Sequence, residues 1–330
     1  MSARDRIDPQ CLPGLDAMLA ASGPGGFAAI ADLAELRRVL AQVTAAAAAT
    51  LPAADGLVIT DHLVPRLPLL AAQGEGPPVP VRVYRPESGE AAAPGILIMH
   101  GGGMVAGSID QEEAVARMLA ASVPAVVVSV GYRLAPEHPA PAAVQDCYAA
   151  LCWLAATAPE LGVDPRRLAV LGRSAGGGLA AAVALLARAE GGPDLRFQMP
   201  LYPMLDDRNV TASSHEVVDV GVWDRAANVE AWDLYLGGRR SGQEVSYLAA
   251  PTRAADLASL PPAFFDVGTV DLFRDEVIDY ASRMMAAGVP VELHVWPGVY
   301  HAAEKFAPTA EVSRRIWQVR LAALRTALLG

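Results

Sequence analysis

The feature that most constrains this chain is the run from Leu168 to Ala189. Leu168-Ala-Val-Leu-Gly reads as a strand, Gly172-Arg-Ser-Ala-Gly176 as a sharp turn, and Gly177 to Ala189 as an Ala- and Leu-rich helix. A G-x-S-x-G string between strand and helix puts its serine on a turn that forces strained backbone angles, and the flanking glycines are there because a β-carbon has no room. The turn lifts the Ser174 hydroxyl clear of the sheet, at the positive end of a helix. The string alone is weak evidence; with the correct element on each side it marks Ser174 as a candidate nucleophile.

The rest of the chain has the rhythm such a turn requires. From residue 55 onward, short β-branched runs alternate with longer helical stretches, the pattern of βα units on a largely parallel sheet. Candidate strands are Gly56 to Val64, Val79 to Tyr84, Gly95 to His100, Ala125 to Val130, Leu168 to Gly172, Arg196 to Pro200, Ala263 to Gly268 and Val291 to Trp296. The expected fold is therefore α/β, with one mostly parallel eight-stranded sheet flanked by helices. Two segments lie outside the rhythm: residues 1–50, rich in alanine, and an insert at about 206–243. Both look helical and are expected to form a cap over a core of about 51–205 and 244–330, within a single unit. No internal repeat is visible, and the Ala45 to Ala49 run needs no reading beyond a helix.

Composition closes off other classes. The 330 residues are 53% hydrophobic and 19% charged, which excludes a disordered chain. A net charge of −10 without a block of like charges argues against a nucleic-acid partner. The longest uncharged apolar run, Ser174 to Ala187, is shorter than the roughly 18 residues a membrane span needs, so no membrane association is expected. Cys11, Cys147 and Cys152 lack C-x-x-C spacing and read as buried thiols of a reducing compartment. With no secretory pattern at Met1 to Gln10, a cytoplasmic location is the expectation. The oligomeric state is not legible, and a homo-oligomer stays open.

Ser174 needs partners. His100-Gly101-Gly102-Gly103 closes the third strand, where ligands bind in open α/β sheets. Backbone N–H groups of this loop and of Ala175 can converge on an oxyanion. Phosphate binding is disfavoured, because neither G-K-[ST] nor a helix-opening G-x-G-x-x-G is present. Of six histidines, His62 and His294 lie within strands, His138 among prolines and His215 in the insert; only His301 follows the last strand at its carboxyl end. Asp271 follows the seventh strand, completing the chain order Ser174, Asp271, His301. Asp275 and Glu276 begin the next helix and suit its dipole, while Asp266 inside the strand reads as structural.

Several blocks resemble the hormone-sensitive-lipase-like branch of the α/β-hydrolase esterases, bacterial family IV: His100-Gly-Gly-Gly-Met-Val-Ala-Gly-Ser, Tyr132-Arg-Leu-Ala-Pro-Glu-His-Pro-Ala-Pro-Ala-Ala, Asp164-Pro-Arg-Arg-Leu-Ala-Val-Leu-Gly-Arg-Ser-Ala-Gly-Gly, Leu201-Tyr-Pro, Asp271-Leu-Phe-Arg-Asp-Glu and Ala287-Gly-Val-Pro-Val-Glu-Leu. In order and spacing they cover roughly residues 55–303. The resemblance implies hydrolysis of short- to medium-chain carboxylic esters through an acyl-enzyme on Ser174, with His301 as base then acid and Asp271 orienting it. It implies oxyanion donors from Gly102, Gly103 and Ala175, a small-molecule ester as partner, and neither metal nor organic cofactor. Met104, Arg173 and Trp223 are the candidate substrate contacts, although Trp223 and Trp232 both read more readily as cap core than as a substrate platform; Tyr132 and Arg133 are expected to brace the core below the site.

The chain departs from the family pattern twice. Arg173 stands where such esterases usually carry Asp, and reads either as half of a structural ion pair or as a cation that binds an acidic substrate, such as a monoester with a free carboxylate. Ala302 and Ala303 follow His301 where a phenylalanine is usual, which opens space beside the site. Competing functions are a non-catalytic receptor on the same fold, disfavoured because all three candidate catalytic residues are present; a lyase, disfavoured by Ser174; and an amidase or lactonase using the same residues.

Overall fold

A run of valines or of other β-branched and apolar residues can lie extended between two layers of helices, and the centre of this molecule is built that way. β3 (Ala93–Met99) and β4 (Val126–Val130) are buried along their whole length, as strands covered on both faces must be. The computed structural model describes residues 2–23, 25–67, 77–88, 92–239 and 245–330. Its other strands are β1 (Leu57–Val64), β2 (Val79–Pro86), β5 (Val163–Arg173), β6 (Phe197–Leu201), β7 (Ala263–Val270) and β8 (Val291–Tyr300). The order across the sheet is β1-β2-β4-β3-β5-β6-β7-β8, and only β2 runs against the others.

All eight expected strands form, with shifted ends. β5 starts at Val163, five residues before the apolar run, and β8 continues to Tyr300. The extension of β8 crosses Pro297 and Gly298, whose φ of 70° is open to glycine, and the β7–β8 register shifts between Gly268 and Val270. His301 is thus the first residue after a strand four residues longer than expected.

Helices α1 (Leu12–Ser22) and α2 (Leu33–Ala49) precede the sheet. Between and after the strands lie α3 (Glu113–Ser122), α4 (Ala142–Ala156), α5 (Ala158–Leu161), α6 (Ala175–Glu190), α7 (Ala212–Glu216), α8 (Arg225–Tyr235), α9 (Arg274–Ala286), α10 (Ala303–Phe306) and α11 (Glu311–Leu329). α6 is buried from Ala175 to Ala187, so its small side chains let it press against the sheet; Gly191 at φ 75° ends it. Within the insert only α7 and α8 are helical, and its residues 240–243 lie outside the described part. The amino-terminal segment and the insert touch: the Ala28 N–H donates to the Gly221 carbonyl, and Arg6 pairs with Glu216 at 3.0 Å.

One buried charge cluster ties the carboxyl-terminal elements together. Arg320 of α11, 1% exposed, donates to both oxygens of Asp266 in β7 at 2.8 and 3.2 Å and to Glu304 of α10 at 2.9 Å. Trp296 Nε1 and the Tyr202 hydroxyl donate to the same two carboxylates. Burial alone would raise the Glu304 carboxyl, but Arg320 and Arg173 outweigh it and hold it below its usual range. Asp266 is thus structural, as expected. Arg320→Met should strand two buried carboxylates and cost about 3–5 kcal/mol, seen as a lower thermal unfolding midpoint.

Candidate active site

Ser174 joins the end of β5 to the start of α6 at φ 57° and ψ −121°, a left-handed angle rarely held by a side-chain-bearing residue. The crowding that imposes it can be measured at the flanking glycines. A β-carbon on Gly172 would lie 2.0 Å from the Gly176 carbonyl oxygen, and one on Gly176 would lie 2.1 Å from that of Met99. The turn is pinned by hydrogen bonds: the Ser174 N–H donates to Leu201 O, and its own carbonyl accepts from Gly178 and Met204.

His301 follows β8 and Asp271 follows β7, so the parallel sheet delivers all three residues to one edge. His301 Nε2 is 2.9 Å from Ser174 Oγ, and His301 Nδ1 is 2.8 Å from Asp271 Oδ2. A carboxylate only accepts, so the imidazole proton belongs on Nδ1, leaving Nε2 to accept from the serine hydroxyl. The other Asp271 oxygen accepts from the Phe273 N–H at 3.0 Å. Tyr202 and Phe273 meet the imidazole edge-on at 5.1 and 5.2 Å, fixing its plane.

The His100 loop lies against this relay: a β-carbon on Gly101 would stand 3.3 Å from Ser174 Cβ. Gly102 and Gly103 take φ of 121° and 64°, and among the described residues their N–H groups donate to no protein acceptor. Ala175 opens α6, so its N–H has no preceding helical carbonyl. The imidazole of His100 is buried and pushed down to about 4, chiefly by desolvation, which keeps it neutral; its Nδ1–H donates to Gly101 O at 2.8 Å. Tyr132 braces the loop by stacking on that ring and donating to His100 O at 2.7 Å, while Arg133 grips Asp146 with two nitrogens.

A small cavity, about 80 Å³, opens onto Ser174 and His301. Phe27, Leu36 and Leu40 close it from the amino-terminal segment, Val222 and Trp223 from the insert. A larger groove of about 810 Å³ lies at the amino end of β3, by Ala93 and Pro94, at the end of the strands opposite to Ser174.

The substrate contacts expected from sequence separate here. Trp223 lines the cavity above the loop, its ring 2.3 Å from where a Gly103 β-carbon would be, with Nε1 donating to Asn228. Met104 does not line it. Its left-handed φ of 65° goes with a side chain that is 1% exposed and whose methyl reaches toward Gly178 of α6, so it packs beneath the loop, which corrects the expectation. Trp232 is buried away from the cavity. Of the two small residues after His301, Ala302 lines the cavity and Ala303 is fully buried outside its lining.

Arg173 resolves toward the ion pair. It also lines the cavity, but its Nη2 donates to Glu112 Oε1 at 2.7 Å, and Glu112 is fully buried behind it. Asp275 and Glu276 do more than suit a dipole: Asp275 accepts from the Ser213 N–H, Glu276 from those of Leu205 and Asp206, anchoring the start of the insert. Burial raises Glu276 well above the usual carboxyl range. Sequence reasoning missed Glu112 and Arg320, whose partners lie far away in the chain and left no local signal.

Comparisons with known proteins agree with this geometry. Residues 96–305 match the family model of the alpha/beta hydrolase fold. The chain belongs to the α/β-hydrolase family. Its similarity to the hormone-sensitive-lipase-like branch is borne out by its relatives: it is 39% identical to Esterase LipI of Mycobacterium tuberculosis over 79% of this chain and 82% of that one, and 41% identical to Carboxylesterase NlhH of the same organism over 76% and 79%. Among solved structures, Bacterial Heroin Esterase superposes with a TM-score of 0.90 at 38% identity, covering 99% of each chain, and esterase LipW from Mycobacterium marinum with 0.85 at 39%, covering 98% and 97%.

The Arg173–Glu112 pair yields a direct test. Arg173→Asp sets two buried carboxylates face to face and should cost about 3–5 kcal/mol, lowering the unfolding midpoint and depressing turnover of charged and neutral esters together. Adding Glu112→Gln should recover part of that loss, read as a coupling term in a double-mutant cycle.

Proposed function

We propose that this carboxylic ester hydrolase works through an acyl-enzyme on Ser174, and that the continuous line of hydrogen bonds from Ser174 through His301 to Asp271 carries the reading. Ser174 Oγ attacks the ester carbonyl carbon while its proton passes to His301 Nε2. The carbonyl oxygen becomes an oxyanion and takes hydrogen bonds from the N–H groups of Gly102, Gly103 and Ala175. One such donor is typically worth about 10²- to 10³-fold in rate. Collapse breaks the bond to the alkoxy group, which leaves as an alcohol with the proton from His301. Water, deprotonated by the same nitrogen, then releases the acid and restores the serine. Asp271 holds the tautomer and steadies the imidazolium formed in between.

The segments 1–50 and 206–243 act together as the cap, and the side chains they contribute to the cavity support that role. The small cavity supports the short end of the acyl range. Among the described residues no helix is long and apolar enough to cross a membrane. The free thiols of Cys11, Cys147 and Cys152 support a cytoplasmic location.

An organophosphate should label one serine per chain, and Ser174→Ala should abolish both labelling and ester turnover. His301→Ala should lower kcat on the order of 10⁴- to 10⁶-fold, with little change in substrate binding. Labelling elsewhere with turnover retained would reject the assignment. A panel of matched esters, anilides and lactones measures which of these bonds the site prefers to cleave, and a series of acyl lengths measures which acyl group.

A further inference from the structure

The cavity beside Ser174 is lined by apolar side chains from Phe27, Leu36, Leu40, Val222, Trp223 and Phe306, yet among the described residues it also carries two cations and no carboxylate. Arg173 is one, and its charge is answered from behind by Glu112. Lys305 of α10 is the other. Its backbone N–H donates to the Ala302 carbonyl, but among the described residues its ammonium forms no ion pair and no hydrogen bond, and it lies 5.7 Å from the centre of the Phe306 ring. Glu304, next to it in sequence, is occupied by Arg320 and the Tyr202 hydroxyl. A half-buried ammonium that meets a ring face rather than a carboxylate is under-compensated, and an apolar side chain of similar length would fill the space at less cost. The Arg173–Glu112 pair is also incompletely satisfied, since Arg173 Nε and Glu112 Oε2 are buried without partners.

We propose that Lys305 is a specificity-determining residue that selects esters bearing a carboxylate close to the scissile bond, such as the half-ester of a short dicarboxylic acid. The proposal rests on Ser174 being the nucleophile: Ser174 and Lys305 line one cavity of about 80 Å³, so a second carboxylate held by Lys305 must lie close to the ester. The substrate anion supplies the charge that the cavity lining lacks, and the apolar walls hold the short chain between the two carbonyl groups. Lys305 then does what the sequence had offered as one role for Arg173, while Arg173 is committed to Glu112.

The surroundings of Lys305 give this selectivity a pH limit. Burial, and then the neighbouring Arg173 guanidinium, push its ammonium down to about 8, against the opposing pull of Glu112 and Glu304. Below about pH 8 the free enzyme carries the charge that attracts the substrate; above it the charge is lost. The parameter kcat/KM reports the free enzyme. The preference for the anionic ester should therefore fade as pH rises through about 8.

The experiment compares kcat/KM for a half-ester with that for the same ester whose free carboxylate is replaced by a carboxamide. In the native protein the ratio should favour the half-ester at pH 7 and decline above pH 8. Lys305→Met keeps the stem and removes the charge, and should lower the ratio roughly ten- to a hundredfold, the usual range for a lost charged hydrogen bond. Lys305→Arg should keep the ratio and abolish its decline with pH, since a guanidinium stays charged. An equal fall on both substrates, or a native ratio that neither favours the half-ester nor varies with pH, would overturn the role of Lys305 while leaving the ester hydrolase intact. Failure to cleave either ester, with Ser174 unlabelled by organophosphate, would bring down the catalytic reading and this one with it.

Discussion

The chain passes through Ser174 in a conformation that costs of order 1–3 kcal/mol, and much of the surrounding structure exists to hold it there. Gly172 and Gly176 are needed because carbonyl oxygens of the turn and of β3 occupy the space their side chains would take. β5 must be a central strand, so that β3 and its glycine loop lie on one side and β6, whose Leu201 carbonyl takes the Ser174 N–H, on the other. α6 must begin at the next residue, which leaves the Ala175 N–H free beside the serine. A single strained turn thus fixes which strands are neighbours, where the Ser174 hydroxyl points and where the Ala175 N–H, proposed as an oxyanion donor, sits.

Charge is distributed beneath this turn in closed groups. Arg173 and Glu112 neutralise each other next to the nucleophile, and Arg320 answers Asp266 and Glu304 below the histidine. A carboxylate at position 173, the usual family residue, would share this buried space with Glu112 and leave it without its cation. Arginine there and glutamate at 112 are therefore one feature of the sequence rather than two. Because burial makes each unpaired charge expensive, these groups set the positions of α10, α11 and the start of α3 more firmly than apolar packing alone would.

What could be read from the sequence was what local pattern encodes. β-branched runs gave eight strands, and position at strand ends brought Ser174, Asp271 and His301 into one reading, because a parallel sheet sends the ends of its strands to a common edge. The failures have a shared cause. Glu112 lies 61 residues before Arg173, and Arg320 lies 54 residues after Asp266, so neither partner was visible in any window. Met104 sits beside three glycines of the oxyanion loop and looks like a pocket residue, but its left-handed backbone goes with a side chain packed under the loop. β8 runs past Trp296 because a glycine with positive φ lets a strand bend and go on, which periodicity reads as an end.

The cavity and the oxyanion loop are mechanically one object. Arg37 of α2 donates to the Val105 and Ala135 carbonyls and grips both oxygens of Glu137, so the helix that supplies Leu36 and Leu40 to the cavity is clamped to the loop carrying Gly102 and Gly103. From the other side, Trp223 lies where any side chain at Gly103 would be, and Asn228 and Asn209 hold its ring through a chain of hydrogen bonds at 3.0 and 2.5 Å. Movement of either segment therefore strains the backbone of Gly102 and Gly103, whose N–H groups are the proposed oxyanion donors. A substrate that seats the cover correctly also seats the donors, so the size and charge of the cavity bear on rate as well as on binding.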